Sequence, residues 1–391
     1  MPTRSAWRAV VFEPSEPSRE PPAWPLPARA RAATALPSRI VSPDAPLEHP
    51  AWAWLALAAG LAIGGWALWS RAQHRAAPTV WRVDRFGAPP RLFLKTRTAL
   101  TVLLLAVAAL LGANTYTGYV PSVSALASLL PFGSSVAHVE RIEVPSTAPG
   151  TGGRSAYVYL PPGYGRSRRR YPVLYLIHGN PGQAIDYFRA GLAADAEDTL
   201  LKRGAGAPVI LVAVQASRSF THDSECLDEV GGAQEETYLT RTVVPYVDTH
   251  YRTEAERSSR GIAGFSSGAF CALNLALRHQ DEFSLAAGEQ PYADPGGDAE
   301  RADLRGDARR YAANSPDRYL PTLAFRHPVA VYMDAPAGDE TVGQGKVLLG
   351  LLRARGQRAE LHVLPAGHHS WLGVQEGFPA VLAWAARELR P

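Results

Sequence analysis

The chain has 391 residues, 46% of them hydrophobic, which is room for one large domain with appendages or two modest ones. Its formal charge of +4 hides an asymmetry, because residues 1–97 carry 13 Lys+Arg against 6 Asp+Glu and the remainder 27 against 30. The basic excess sits in the N-terminal quarter, so the charge balance argues against a nucleic-acid-binding domain.

Residues 1–50 are dense in Pro, Arg, Ala and Ser, lack a sustained apolar period, and read as a disordered tail. Two uncharged apolar stretches follow, 51–69 and 98–119, each long enough to cross a hydrocarbon core of about 30 Å. Trp52, Trp54, Trp66 and Trp69 near the ends of the first, and Tyr116 and Tyr119 after the second, suit the interfacial belts of a bilayer. Between them, the loop 70–97 carries Arg71, Arg75, Arg82, Arg85, Arg91, Lys95 and Arg97 against Asp84. The positive-inside rule places that loop in the cytoplasm and everything after about residue 120 outside. A multi-pass cell-membrane protein with an extracytoplasmic catalytic domain is therefore expected. The stretch 120–138 is uncharged, with an apolar patch at 123–130, and reads as a connector.

From Val139 the pattern changes. Strands are expected at 139–144, 155–160, 171–177, 208–214, 261–264, 284–288, 329–333 and 359–364, and helices at 184–200, 235–249, 268–278, 341–355 and 375–390. Such alternation predicts an α/β domain over 139–391, a mostly parallel sheet flanked by helices. The first two strands would form an antiparallel hairpin at its edge. Ligands bind such sheets at the carboxyl ends of the strands.

Gly264-Phe265-Ser266-Ser267-Gly268 falls between an expected strand and an expected helix, the setting of a nucleophile elbow. The turn is so tight that small residues must flank the serine, whose Oγ is pushed above the sheet edge. A serine hydroxyl is a poor nucleophile and needs a base in hydrogen-bond reach and a third group to orient that base. The strand at 329–333 leads into Asp334-Ala335-Pro336-Ala337-Gly338-Asp339-Glu340, where Asp339 in the loop is preferred as the acid and Asp334 at the strand end is the alternative. The strand at 359–364 leads into Pro365-Ala366-Gly367-His368-His369-Ser370-Trp371, where His369 is preferred as the base and His368 is the fallback. Two backbone N–H groups should form an oxyanion hole: that of Ser267, and that of Asn180 in the turn His178-Gly179-Asn180-Pro181-Gly182.

These three motifs, in this order and spacing, resemble the esterase family that includes esterase D (S-formylglutathione hydrolase), feruloyl esterases and the antigen 85 mycolyltransferases. The segment 237–248 is similar to the helix that precedes the elbow in that family. The resemblance covers about residues 139–391. It implies an α/β-hydrolase fold with Ser266 as nucleophile, His369 as base and Asp339 as acid. The acid loop departs from the pattern, since its spacing after Asp334 has no certain match. The two-helix anchor resembles actinobacterial membrane-bound members and is absent from the cytosolic esterases.

Cys226 and Cys271 are the only cysteines; in an exported domain a disulfide is allowed, with two buried thiols as the alternative. The segment 217–234, with His222, Asp223, Glu225, Asp228 and Glu229, either lines an acyl or alcohol pocket or, the plainer reading, is a solvated loop. No metal-ligand spacing, phosphate loop or dinucleotide fingerprint appears, so no cofactor is expected. The expected function is ester hydrolysis or acyl transfer through an acyl-enzyme, on an acyl ester that extends to lipids and glycolipids. The alternative of a different class is a catalytically inactive exported domain that binds envelope lipid or protein.

Overall fold

The structure is a computed structural model that describes residues 47, 50–76, 90–122, 126, 138–365 and 367–389. The expected tail, the middle of the basic loop and most of the apolar patch at 123–130 lie outside the described residues.

Two long helices come first, α1 (Pro50–Ala76) and α2 (Pro90–Thr117). Both outrun the uncharged stretches, so the connection is 77–89 rather than 70–97. Arg and Lys are good helix formers and carry the helical bonding past the apolar limits. The helices pack side by side through small residues: a Cβ at Gly60 would stand 3.2 Å from Leu105, and one at Gly64 would stand 3.0 Å from Thr101. Arg97 lies over the Trp66 ring, 3.6 Å from its centroid. Their outer faces leave Trp54, Leu61, Leu68, Val102 and Leu110 exposed.

Eight strands form one sheet in the order β1-β2-β4-β3-β5-β6-β7-β8, with β1 Val139–Val144, β2 Arg154–Tyr159, β3 Val173–Ile177, β4 Ile210–Val214, β5 Arg260–Phe265, β6 Leu285–Glu289, β7 Ala330–Pro336 and β8 Ala359–Leu364. The expected hairpin is there: β1 pairs antiparallel with β2, and β2 pairs antiparallel with β4, while all other pairings are parallel. The inner strands are covered on both faces, and Val173–Ile177 and Ile210–Val214 accordingly read as unbroken apolar runs. One apolar cluster, around Val212, Val243, Leu275 and Met333, fills one face; another, around Leu174, Tyr187, Phe378 and Trp384, fills the other.

The helices of ten residues or more that cover the sheet are α3 (Ala193–Lys202), α4 (Ser267–Arg278), α5 (Thr341–Ala354) and α6 (Trp371–Glu388). The single helix expected at 184–200 is two, Asp186–Arg189 and α3, broken at Leu192, whose φ is 56°. The helix expected from 375 begins four residues earlier, at Trp371, which packs edge-on against Tyr187. Across the 235–249 stretch, a π-helical turn at Leu239–Val243 joins two short α segments. The strand order reverses between β4 and β5 on either side of β3. That is the topological switch point where open α/β sheets bind ligands.

Candidate active site

Ser266 stands at the end of β5, at the switch point, with φ 58° and ψ −120°. A non-glycine residue in this region is strained, and such strain gathers where the surrounding structure overrides it. The neighbouring glycines explain how the turn closes. A Cβ on Gly264 would lie 1.9 Å from the carbonyl oxygen of Gly268, and one on Gly268 would lie 2.0 Å from that of Ile177. Neither position tolerates any side chain, which is the physical content of the Gly-x-Ser-x-Gly pattern.

His369 Nε2 lies 2.7 Å from Ser266 Oγ, and its Nδ1 lies 3.4 Å from Asp339 Oδ2. Thr341 holds the other carboxylate oxygen of Asp339, donating from its backbone N–H at 2.9 Å and from its hydroxyl at 2.7 Å. The Asp339 side chain is buried, while that of His369 is 37% exposed. This is the contact set of an imidazole that takes the serine proton at Nε2 and is oriented through Nδ1–H.

The two alternative residues, Asp334 and His368, fall elsewhere. β7 runs three residues past its expected end, to Pro336, so Asp334 is a strand residue beneath the site. Neither Asp334 carboxyl oxygen has a hydrogen-bond partner among the described residues, and the residue is wholly buried. Burial, with Glu376 adding to it, raises this carboxyl above the ordinary range, and burial beside Asp334 raises Glu289 in the same way. A buried carboxyl without donors is held neutral rather than charged. Among the described residues Asp334 makes no side-chain hydrogen bond at the turn, and the carboxylate beside His369 is that of Asp339. His368 stacks on Tyr116, with ring centroids 4.7 Å apart, and the histidine bonded to Ser266 is His369.

Asn180 follows β3, whose end is paired with that of β5 through Ile177 and Gly264. Gly179 brings the backbone close to Ser266: a Cβ there would stand 3.2 Å from that of Ser266. Among the described residues no backbone carbonyl accepts the N–H of Asn180 or of Ser267, and the Asp223 carboxyl lies within hydrogen-bond reach of both side chains. His178 is buried; its Nδ1–H donates to Gly179 O at 2.8 Å and its Nε2 accepts from Ala216 N–H at 3.3 Å. Burial lowers its pKa to about 4, so it is a neutral latch between the two loops.

The segment 217–234 is not the solvated loop favoured from sequence. Cys226 and Cys271 form a disulfide, with Cα atoms 5.5 Å apart, which pins the segment to α4. Ser224, Glu225, Leu227, Glu229 and Ala233 are buried. Ser224 Oγ donates to Ala216 O at 2.6 Å, and Tyr292 OH donates to Glu225 Oε1 at 2.6 Å. Burial raises both the Asp223 and Glu225 carboxyls.

Ser266 and His369 open into a cleft of about 750 Å³, walled by Tyr116, Tyr292, Thr341 and Gln344 among others. Two members of this region had no signal in the sequence. One is Tyr116, read there only as an interfacial aromatic. The other is Gln290, directly after β6, whose side chain accepts from Ser370 N–H at 3.1 Å and donates to Ser370 O at 3.4 Å, beside His369.

A mostly parallel sheet with a serine on a strained strand-to-helix turn, and a histidine from the loop after the last strand lying against it, is the arrangement of the α/β hydrolases. Solved structures share the fold. A ferulic acid esterase superposes with a TM-score of 0.57 at 22% identity, over 64% of this chain and 98% of its own. An S-formylglutathione hydrolase from Agrobacterium tumefaciens superposes with a TM-score of 0.54 at 15% identity, over 64% and 95%. The family described as "Putative esterase" matches residues 152–385, and the chain belongs to it. An esterase of Mycobacterium tuberculosis is 34% identical over 130 residues, which are 33% of this chain and 27% of that protein. An uncharacterised protein of Corynebacterium glutamicum is 30% identical over 131 residues, 33% of this chain and 30% of its own length. The chain thus matches less than a third of the length of these relatives.

Proposed function

We propose that the protein is a serine carboxylic ester hydrolase held at a membrane by α1 and α2. The observation that carries the reading is the 2.7 Å approach of His369 Nε2 to a serine hydroxyl on a strained turn. In the proposed reaction Ser266 Oγ attacks the acyl carbonyl while its proton passes to His369 Nε2. The N–H groups of Asn180 and Ser267 hold the oxyanion of the tetrahedral intermediate. Collapse expels the alcohol, which leaves with the proton from His369, and the acyl group stays on Ser266. Water, or a second alcohol where transfer replaces hydrolysis, releases it by the same steps in reverse. Asp339 keeps the imidazole in the Nδ1–H form and stabilises its positive charge. A binding module would have no use for these contacts, which disfavours the non-catalytic alternative.

Membrane anchoring is supported by two apolar helices of spanning length, only 11% buried in each apolar window, where a core helix of a soluble domain would be mostly covered. The basic residues between them, together with a disulfide at the rim of the site, favour a catalytic domain on the extracytoplasmic side. A panel of p-nitrophenyl esters of rising chain length, with and without glycerol or trehalose as acceptor, tests the reading. Turnover should fall on the order of 10⁴-fold or more in Ser266→Ala and His369→Ala. Equal turnover by wild type and Ser266→Ala would refute it.

A further inference from the structure

The end of α2 is not a free tether. Tyr116, in its last turn, stacks on His368 and lines the same cleft as Ser266 and His369. The residues just beyond are fastened to the catalytic domain by directed contacts. Tyr119 OH donates to Asp186 Oδ1 at 2.8 Å, and Gln375 Nε2 donates to Gly118 O at 3.3 Å. Gly118 has φ +62°, and Leu372 occupies the place where its Cβ would stand, 2.4 Å away, so the chain turns tightly against α6. Asn114 secures the turn from within, accepting Val120 N–H at 2.7 Å and donating to Val120 O at 2.8 Å.

The apolar span of α2 ends at Thr117. A residue one position before that limit forms part of the cleft wall, so the nucleophile must sit close to the level at which α2 leaves hydrocarbon. Phe220, 46% exposed, meets the Tyr119 ring edge-on at 6.5 Å, and its carbonyl accepts Gly182 N–H at 2.8 Å beside the Asn180 turn. Tyr116, Tyr119 and Phe220 therefore continue the interfacial aromatics of the helix onto the catalytic domain. The lining of the cleft also carries the polar side chains of Glu340, Thr341 and Gln344, beside a second aromatic, Tyr292.

Aromatic side chains at the anchor end, together with polar side chains inside the cleft, fit an amphiphile. We propose that the substrate is a bilayer-resident acyl ester, drawn into the cleft past Tyr116 and Phe220, and that Tyr116 is a specificity-determining residue. This rests on the ester-hydrolase reading above. A soluble ester would gain nothing from a wall supplied by the anchor helix.

The test uses the full chain in phosphatidylcholine vesicles and two fluorophosphonate probes, one long-chain and dissolved in the bilayer, one short-chain and water-soluble. The expected result is Ser266 labelling at least tenfold faster with the bilayer probe, and a fall of about tenfold in that ratio in both Tyr116→Ala and Phe220→Ser. The ratio is internal to each variant, so partial loss of folded protein does not move it. Labelling by both probes without preference, or a preference that neither substitution changes, overturns the inference and leaves the hydrolase reading standing. Absence of Ser266 labelling by either probe overturns both.

Discussion

The two walls of the cleft are built by different means. The side proposed to hold the oxyanion is locked by buried and covalent contacts: His178 bridges two loops, Ser224 is bonded to Ala216 O, and the Cys226–Cys271 bridge ties the segment to α4. The histidine side hangs from β7 and β8 at the sheet's edge and is placed by a few side-chain hydrogen bonds, those of Thr341 to Asp339 and of Gln290 to Ser370. Donors that must meet a developing charge work best when they need not reorganise. A proton carrier needs only the right tautomer and distance. Damage to the first wall should therefore register mainly as lost stability, and damage to the second mainly as lost rate.

The sharpest break comes from the acid. Asp339→Asn should lower kcat about 10⁴-fold with little change in Tm, because it removes the orienting acceptor and nothing from the core. Asp334→Asn should leave kcat within about threefold. Steady-state kinetics on both variants reverse the assignment if the losses are exchanged. On the opposite wall, replacing Cys226 and Cys271 together by Ser should cost about 4 kcal/mol in the loop-entropy account. For a domain of this size that is a fall of roughly 8–16 °C in Tm, read by calorimetry, with kcat reduced by less than tenfold. Gln290→Ala should lower kcat about tenfold with KM nearly unchanged, since a small displacement of His369 weakens proton transfer and not binding. A rise in KM at constant kcat would show that Gln290 touches substrate instead.

The smallest effect concerns pH. The folded state keeps Asp334 protonated above the pH at which the unfolded chain releases that proton, because burial raises its pKa. The folded state then binds more protons, so wild-type stability declines as pH rises from about 4 until the folded group ionises. Asp334→Asn does not titrate, so its stability relative to wild type should increase over that range in chemical denaturation. A constant difference from pH 4 to pH 8 would mean that Asp334 is ionised in the fold.

The nucleophile turn was the most legible part, while the 217–234 segment of the locked wall was not. Gly264 and Gly268 are demanded by backbone approaches of 1.9 and 2.0 Å that no Cβ survives, and such demands are written in local sequence. The choice between Asp339 and Asp334 stayed open because no residue marks where β7 leaves the sheet, three positions beyond its expected end. The break at Leu192 was hidden for a similar reason: a leucine with φ 56° carries no turn signal and is imposed by packing. Gln290 bonds a residue 80 positions away, and Tyr116 stacks on His368 across an even longer stretch of chain. Periodicity and motif spacing do not reach contacts of that range.

The central claim is that His369 makes the Ser266 hydroxyl a nucleophile that carries the acyl group. Rapid-quench mass spectrometry of wild type turning over p-nitrophenyl butyrate tests it most directly. A butyryl adduct should accumulate on the peptide containing Ser266 in the first turnover, decay as ester is exhausted, and be absent from Ser266→Ala and His369→Ala. Sustained turnover with no adduct on that peptide, and with Ser266→Ala as active as wild type, would contradict the account.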